Sequence, residues 1–404
     1  MWDQILSSRM NELKPSELRE IFKLLEQPDI IAFAGGVPNA SIFPTEEFSK
    51  AYNELFATQA DAQLALQYSN TEGYVPLRQW LKEHMQQLGI NVEIDNILIT
   101  SGSQQALDSL GKIFLSPGDT ALVNWPTYLG AIQAFSTYEA KFQKLEGVED
   151  KSAEEYKQIA KNNNSKIKFI YLSPDFANPT GITLTKQQRL DILKLAEDLN
   201  IAIIEDGAYQ ALRYEGEDIP SILSLELQKK KDIENTRTIY CGSFSKTISP
   251  GLRLGWVVAN KKIIKKLTIL KQAMDLNTST INQIILHKVV NNIFDQHIEY
   301  TKRYYLKNRD IMLRALEKYM PEYVTWDKPE GGLFIWCKLP VELDTKKLFE
   351  KAVRDYRVAF VPGSGFFPDN LTNNMCRLSF SYGDEKLIEE GIKRIAKLIK
   401  ASLE

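Results

Sequence analysis

Six short apolar runs recur between residues 96 and 259, and they limit the fold of this chain more than any other feature. They are 96–100 (NILIT), 119–124 (DTALVN), 167–172 (IKFIYL), 201–205 (IAIIE), 237–242 (RTIYCG) and 254–259 (LGWVVA). A strand with one wet face alternates apolar and polar residues. Runs without that alternation suit strands covered on both faces. Helix-like stretches lie between them, with 103–115 and 184–199 good crossover helices. Strands that alternate with helices predict an α/β fold with a mostly parallel central sheet and flanking helices.

Beyond about residue 290 the texture changes. A long charged helix is expected over 295–320, then strands at 332–338, 357–361 and 375–381, and an amphipathic helix at 384–402. This predicts a smaller α+β domain. Three regions are expected: 1–45, an N-terminal helix (15–27) and loop that pack with the small domain; 46–290, the large α/β domain; and 291–404, the small one.

Bulk properties narrow the function. The 404 residues are 44% hydrophobic and 25% charged, with a net charge of -2. That is globular composition with no surplus that favours nucleic acid. No apolar run of about 18 residues predicts a membrane span, and the charged N-terminus lacks a signal-peptide core. Cys241, Cys337 and Cys376 show neither metal nor disulfide spacing, which fits buried packing in a reducing cytoplasm. His84, His287 and His297 lie in helix-like polar segments, and solvated helix faces are expected for them.

The chemistry-bearing residues follow the apolar runs, at the sheet edge where open parallel sheets gather ligands. After 96–100 come Ser103 and Gln104, which open a helix. Its free N–H groups suit a phosphate, and a serine N-cap is the alternative. After 119–124 comes Tyr128, either a platform for a flat heteroaromatic ring or a core tyrosine. After 167–172, two prolines and a glycine aim Asn178, which either donates to a ring oxygen or serves the turn. After 201–205 come Asp206 and Tyr209. A carboxylate there needs a partner, and a protonated pyridine nitrogen would be one; a helix N-cap is the alternative. After 237–242 come Ser243, Ser245, Lys246 and Arg253. A lysine whose pKa falls can form an imine with a carbonyl compound. Two serines and an arginine beside it can hold a phosphate. Together these needs are those of pyridoxal 5'-phosphate.

On Asn178-Pro179-Thr180-Gly181, Asp206-Gly207-Ala208-Tyr209 and Ser243-Phe244-Ser245-Lys246, in this order and spacing, the chain resembles fold-type I pyridoxal-phosphate enzymes of the class I/II aminotransferases. The likeness runs from the loop at Ala34 through Tyr68 and Ser101–Gln105 to Arg377. Within the class, Ser16–Arg19, the GGVPNASIFP loop, Gly102–Gln105 and Val361–Gly363 are most similar to the 2-aminoadipate and kynurenine aminotransferase branch. MocR-type transcription regulators share this module behind a DNA-binding domain, for which this chain has no room.

The resemblance implies roles. Lys246 would hold the cofactor as a Schiff base. Ser103, Gln104, Ser243, Ser245 and Arg253 would contact its phosphate, and Tyr128 would stack on its ring. Asn178 and Tyr209 would bond the ring oxygen, and Asp206 the ring nitrogen. Arg377 would grip the substrate carboxylate, with Asn178 and Gly36 also on the substrate side; a surface strand charge is the alternative for Arg377. Tyr68 would reach the neighbouring subunit's phosphate, which implies a homodimer with shared sites. Arg19 would approach the substrate side chain, or else lie on a solvated helix face. Ala177 departs from the pattern, since the family often has a polar residue there.

The expected activity is transfer of an amino group from an L-amino acid to a 2-oxo acid, commonly 2-oxoglutarate. Aminoadipate-like, kynurenine-like, aromatic and branched-chain donors all fit. The rivals are a lyase or decarboxylase on the same cofactor and a non-catalytic sensor of it.

Overall fold

In the computed structural model, residues 2, 5–11, 29–147, 150–381 and 383–403 are described. The expected helix at 15–27, and Arg19 with it, lies outside them. Seven strands form the large sheet, in the order Ile97–Thr100, Gly255–Val258, Thr238–Ser243, Ala202–Asp206, Ile167–Leu172, Thr120–Val123, Lys141–Lys144. All the pairings are parallel except those of Gly255–Val258, which is antiparallel to both neighbours.

The apolar runs are unbroken because successive side chains serve different cores. Leu98, Val123, Tyr171, Ile204, Cys241 and Val257 face helices Ser103–Phe114, Leu129–Ser136 and Lys261–Met274. Ile97, Ile99, Tyr240, Trp256 and Val258 face Val75–Gln87 and the start of Thr280–Tyr319, while Leu122, Ile170 and Ile203 face Lys186–Leu199 and Ile222–Lys230. Period-two alternation persists, but both faces are dry. Helix Lys186–Leu199 starts where its capping box puts it: Thr185 Oγ1 accepts the Gln188 N–H, and Gln188 Oε1 accepts the Thr185 N–H.

Four antiparallel strands form the smaller sheet, in the order Val361–Pro362, Met375–Ser379, Phe334–Lys338, Thr325–Trp326. Ile31–Ala32 runs parallel to Val358–Ala359. Helix Glu385–Lys400 buries Ile388, Ile392, Ile395 and Ile399 in the same core.

Several expectations need correction. The long helix begins at Thr280, not 295, and runs through position 290 to Tyr319. The run 357–361 is two short strands in different sheets. Lys141–Lys144 went unpredicted because an exposed edge strand has no apolar run to display. Two of the histidines, His84 and His297, are not on solvated faces. His297 is buried. His84 stacks on Trp80 with centroids 5.1 Å apart and meets Phe294 edge-on, and burial drives its pKa down to about 4. Polar neighbours in the sequence concealed the buried stripe of each helix. The three cysteines are buried and free, as expected.

Candidate active site

The parallel strands deliver Thr100, Val123, Leu172, Asp206 and Ser243 to one edge of the large sheet. Because Gly255–Val258 runs the other way, its start lies opposite Thr100 and Ser243. That reversal brings Arg253, which precedes a strand, to the edge where the other candidates follow theirs.

Lys246 lies just beyond the Thr238–Ser243 strand, and its Nζ donates to Gly36 O at 3.0 Å. Burial first, then the charges of Arg377 and Arg253, hold its pKa down to about 8, against the opposing pull of Asp206. An amine there is a usable nucleophile and base near neutrality. Gly36 must be glycine. Its φ is 72°, and a Cβ would sit 2.8 Å from Phe334 Cε1.

Asp206 ends its strand 5% exposed. Tyr171 Oη donates to its Oδ2 at 2.9 Å, and the Ala208 N–H to its Oδ1 at 3.2 Å. Burial raises its pKa, which these bonds and Lys246 oppose. It is no helix cap, since a turn rather than a helix follows it. Tyr171 was not legible as a site residue, because it reads as one more apolar residue of IKFIYL.

Arg377 is 2% exposed, so it is no surface strand charge. Its Nη1 donates to Asn178 Oδ1 at 2.8 Å and its Nη2 to Ala34 O at 3.0 Å. Nε is buried with no partner, and no carboxylate pairs with the guanidinium among the described residues. Phe334 lies under it, 4.3 Å from Cζ to ring centroid, and Phe366 at 5.3 Å. Burial lowers its pKa to about 10. A dry, unpaired guanidinium with an unused N–H is a receptor for a carboxylate. Asn178 also neighbours the buried Tyr209, whose hydroxyl pKa is raised chiefly by burial. Tyr128 is half-buried at the start of helix Leu129–Ser136, its hydroxyl pushed up to about 12 by burial.

The serine N-cap alternative for Ser103 is excluded. Gly102, at φ 82°, is the cap of helix Ser103–Phe114, and Ser103 is the first helical residue. A Cβ on Gly102 would lie 2.5 Å from Arg253 Nη2, and one on Gly255 would lie 2.8 Å from Ser103 N. Two missing side chains thus leave a shallow cradle of helix-terminal N–H groups beside an exposed guanidinium, with chemistry suited to a phosphate. Ser243 and Ser245 adjoin it, the Ser245 N–H donating to Ser243 Oγ at 3.1 Å. Gln104 is turned to Gly130 O at 2.8 Å. Tyr68 does not join the cluster; it is 76% exposed. A cavity of about 630 Å³ lies behind these loops, lined by His84, Thr247, Trp256 and Phe294 and reaching Ser243 and Ala208, but by none of Lys246, Asp206 and Arg377.

An α/β sheet edge with a low-pKa lysine, a buried aspartate, an anion cradle and a waiting guanidinium defines an enzyme built for an imine-forming, phosphorylated cofactor and a carboxylate substrate. The family model for aminotransferase class I and II matches residues 28–395, and the chain belongs to that family. It is 41% identical over 408 residues to an aromatic-amino-acid aminotransferase of Thermococcus litoralis, covering all of this chain and 95% of that one. It is 36% identical to a 2-aminoadipate transaminase of Thermus thermophilus, covering all of this chain and 98% of the relative. The crystal structure of Pyrococcus horikoshii kynurenine aminotransferase superposes with a TM-score of 0.90 at 41% identity, over 100% of this chain and 98% of that one. The fold is therefore fold type I, the cofactor is pyridoxal phosphate, and the activity is transfer of an amino group from an amino acid to a 2-oxo acid. Among the described residues no helix is long and apolar enough to cross a membrane.

Proposed function

We propose that this aminotransferase takes an aromatic, kynurenine-like or aminoadipate-like L-amino acid as donor and 2-oxoglutarate as acceptor, in a ping-pong cycle centred on Lys246. The names of the relatives support the donor class. The observation that carries the proposal is Arg377, buried and bonded to Asn178 with Nε unused. It offers one fork to the α-carboxylate that donor and acceptor share.

Bound pyridoxal phosphate supplies an aldehyde carbon that holds the amino group between half-reactions, and a ring that takes up the electron pair left at Cα. Lys246 Nζ would serve as the base that takes the Cα proton of the substrate and hold that proton between the half-reactions. Its low pKa suits that work. Asp206, its carboxylate held in place by Tyr171, would stand against the ring nitrogen and favour a proton there. Asn178 and Tyr209 would bond the ring oxygen, and Tyr128 would cover the ring. Ser103, Gln104, Ser243, Ser245 and Arg253 hold the phosphate. Gly36 and Arg19 belong to the substrate side.

The molecule works as a homodimer with Tyr68 on the partner's phosphate. Support comes from the exposed apolar series Tyr52, Phe56, Leu64, Leu66, Tyr68 and Val75, more than a lone domain scatters by chance over so short a segment. The division into a large domain to about residue 290 and a small one beyond it, packed with the N-terminal segment, is part of the proposal. So is a cytoplasmic location, in keeping with three free buried cysteines. A panel of amino donors against 2-oxoglutarate, read as glutamate formed, tests the assignment. Turnover with aromatic or aminoadipate-type donors is expected. Glutamate from none of them would overturn the donor class, and release of ammonia or carbon dioxide instead would favour a lyase or decarboxylase.

A further inference from the structure

Gln104 and Gln105 are neighbours with separate fates. The Gln105 amide is wholly engaged away from the cradle. Its Oε1 accepts the Ser101 N–H at 2.8 Å and Lys271 Nζ at 3.0 Å, and its Nε2 donates to Asp275 Oδ2 at 2.8 Å. The same Oδ2 accepts the Ser101 hydroxyl at 2.9 Å. Lys271 Nζ donates to both oxygens of Asp275, at 2.9 and 2.8 Å. Lys271 is 2% exposed on the last turn of helix Lys261–Met274, and Asp275 is that helix's C-cap.

The end of this helix thus holds residue 101 in two ways, directly by its hydroxyl on Asp275 and indirectly by its main-chain N–H, through the Gln105 amide that Lys271 and Asp275 clamp. The next two residues are Gly102 and Ser103, which form the cradle beside Arg253. An ion pair buried at one partner adds little net stability over an apolar replacement. What it does here is fix a position. A cradle that must be ordered by its ligand loses affinity to that ordering, whereas one already ordered does not.

We propose that Gln105, Lys271 and Asp275 are positioning residues that keep the Ser101–Ser103 turn shaped for the cofactor's phosphate. This rests on the assignment of that turn to the phosphate. Gln105→Met removes the tie to the Ser101 N–H and leaves the Lys271–Asp275 pair, and the Ser101 hydroxyl on Asp275, in place. The test is equilibrium dialysis of apo-protein against pyridoxal phosphate and against pyridoxal, which has the same ring and aldehyde but no phosphate. The variant should bind pyridoxal phosphate about tenfold more weakly, as expected for one lost hydrogen bond to a constrained N–H, with its affinity for pyridoxal changed less than about twofold. Lys271→Met should act in the same direction. Equal weakening toward both ligands, or toward neither, would overturn the proposal and reduce the network to a brace of the fold. Wild-type protein that does not prefer the phosphorylated ligand would instead overturn the assignment of the turn. If Gln105→Met does not fold, Asp275→Asn, of the same shape, is read against the same two ligands with the same two outcomes.

Discussion

Arg377 and Asn178, 199 positions apart, meet in a 2.8 Å hydrogen bond from Nη1 to Oδ1. One stands on an inner strand of the four-stranded small sheet, the other on a loop past a strand of the large sheet. The bond leaves Nε free and uses up only one side of the guanidinium. Arg377→Lys keeps the charge but replaces a planar fork with a point donor that cannot serve Asn178, Ala34 O and a carboxylate together. KM for both amino and 2-oxo substrates should rise roughly 10- to 100-fold, with a smaller change in kcat. Steady-state kinetics with each substrate varied in turn checks this; an unchanged KM would remove Arg377 from the carboxylate site.

The Asp206 carboxylate is costly to the apo-protein and useful to the reaction. Asp206→Asn keeps the shape and can still accept from Tyr171, but it holds no negative charge against a ring nitrogen. Turnover should fall by about 10² to 10³, the scale for loss of one preorganised electrostatic partner, while the apo-protein's Tm stays level or rises. The pH dependence follows with its sign. Burial raises the folded pKa of Asp206 above 3.8, so the folded state binds the proton more tightly than the unfolded. That contribution to stability is complete below pH 3.8 and is lost as pH rises through the folded value. Thermal melts of apo-protein across acidic pH should show this component in the wild type and not in the variant.

What the sequence could reveal depended on whether a feature is local. The buried strands announced themselves because covering both faces removes polar residues from six runs, and Thr100, Asp206 and Ser243 do end strands at one edge of the large sheet. Loop chemistry also carried Asn178, because prolines and a glycine surround it. The partners of these groups were not legible. Tyr171 on Asp206, Phe334 beneath Arg377 and Lys271 behind Gln105 are contacts between elements distant in sequence, made by residues that read locally as core or surface. The antiparallel setting of Gly255–Val258 is likewise a property of the sheet, not of the run LGWVVA. His84 and His297 were misplaced because helix burial is decided by what packs on the helix.

The lysine's acidity should be visible in cofactor capture. At a pKa of about 8, the neutral, nucleophilic fraction of Lys246 rises about tenfold per pH unit below 8 and levels off above it. The initial rate at which apo-protein takes up pyridoxal phosphate should follow that curve between pH 6 and 9. An unshifted lysine would go on gaining up to about 10.5. Lys246→Ala should lose the pH-dependent uptake and all measurable turnover while still retaining some cofactor through the other contacts. Wild-type-like turnover by that variant would defeat the assignment of Lys246.

Tyr68 provides the sharpest test of shared sites. Its side chain is 76% exposed in the single chain, so its phenol has no work to do there. If each site draws Lys246 from one subunit and Tyr68 from the other, Tyr68→Ala and Lys246→Ala lesions complement. A mixed dimer then contains one site with both lesions and one with neither. Co-refolding or subunit exchange in equal amounts makes about half of the dimers mixed, so activity should return to about a quarter of the wild-type value. Each variant alone stays far below that level. If both residues served the same subunit's site, every site in every mixture would carry one lesion, and mixing would restore nothing. The regained fraction, measured against the proportion of mixed dimers resolved by a charge tag on one partner, decides between these two arrangements.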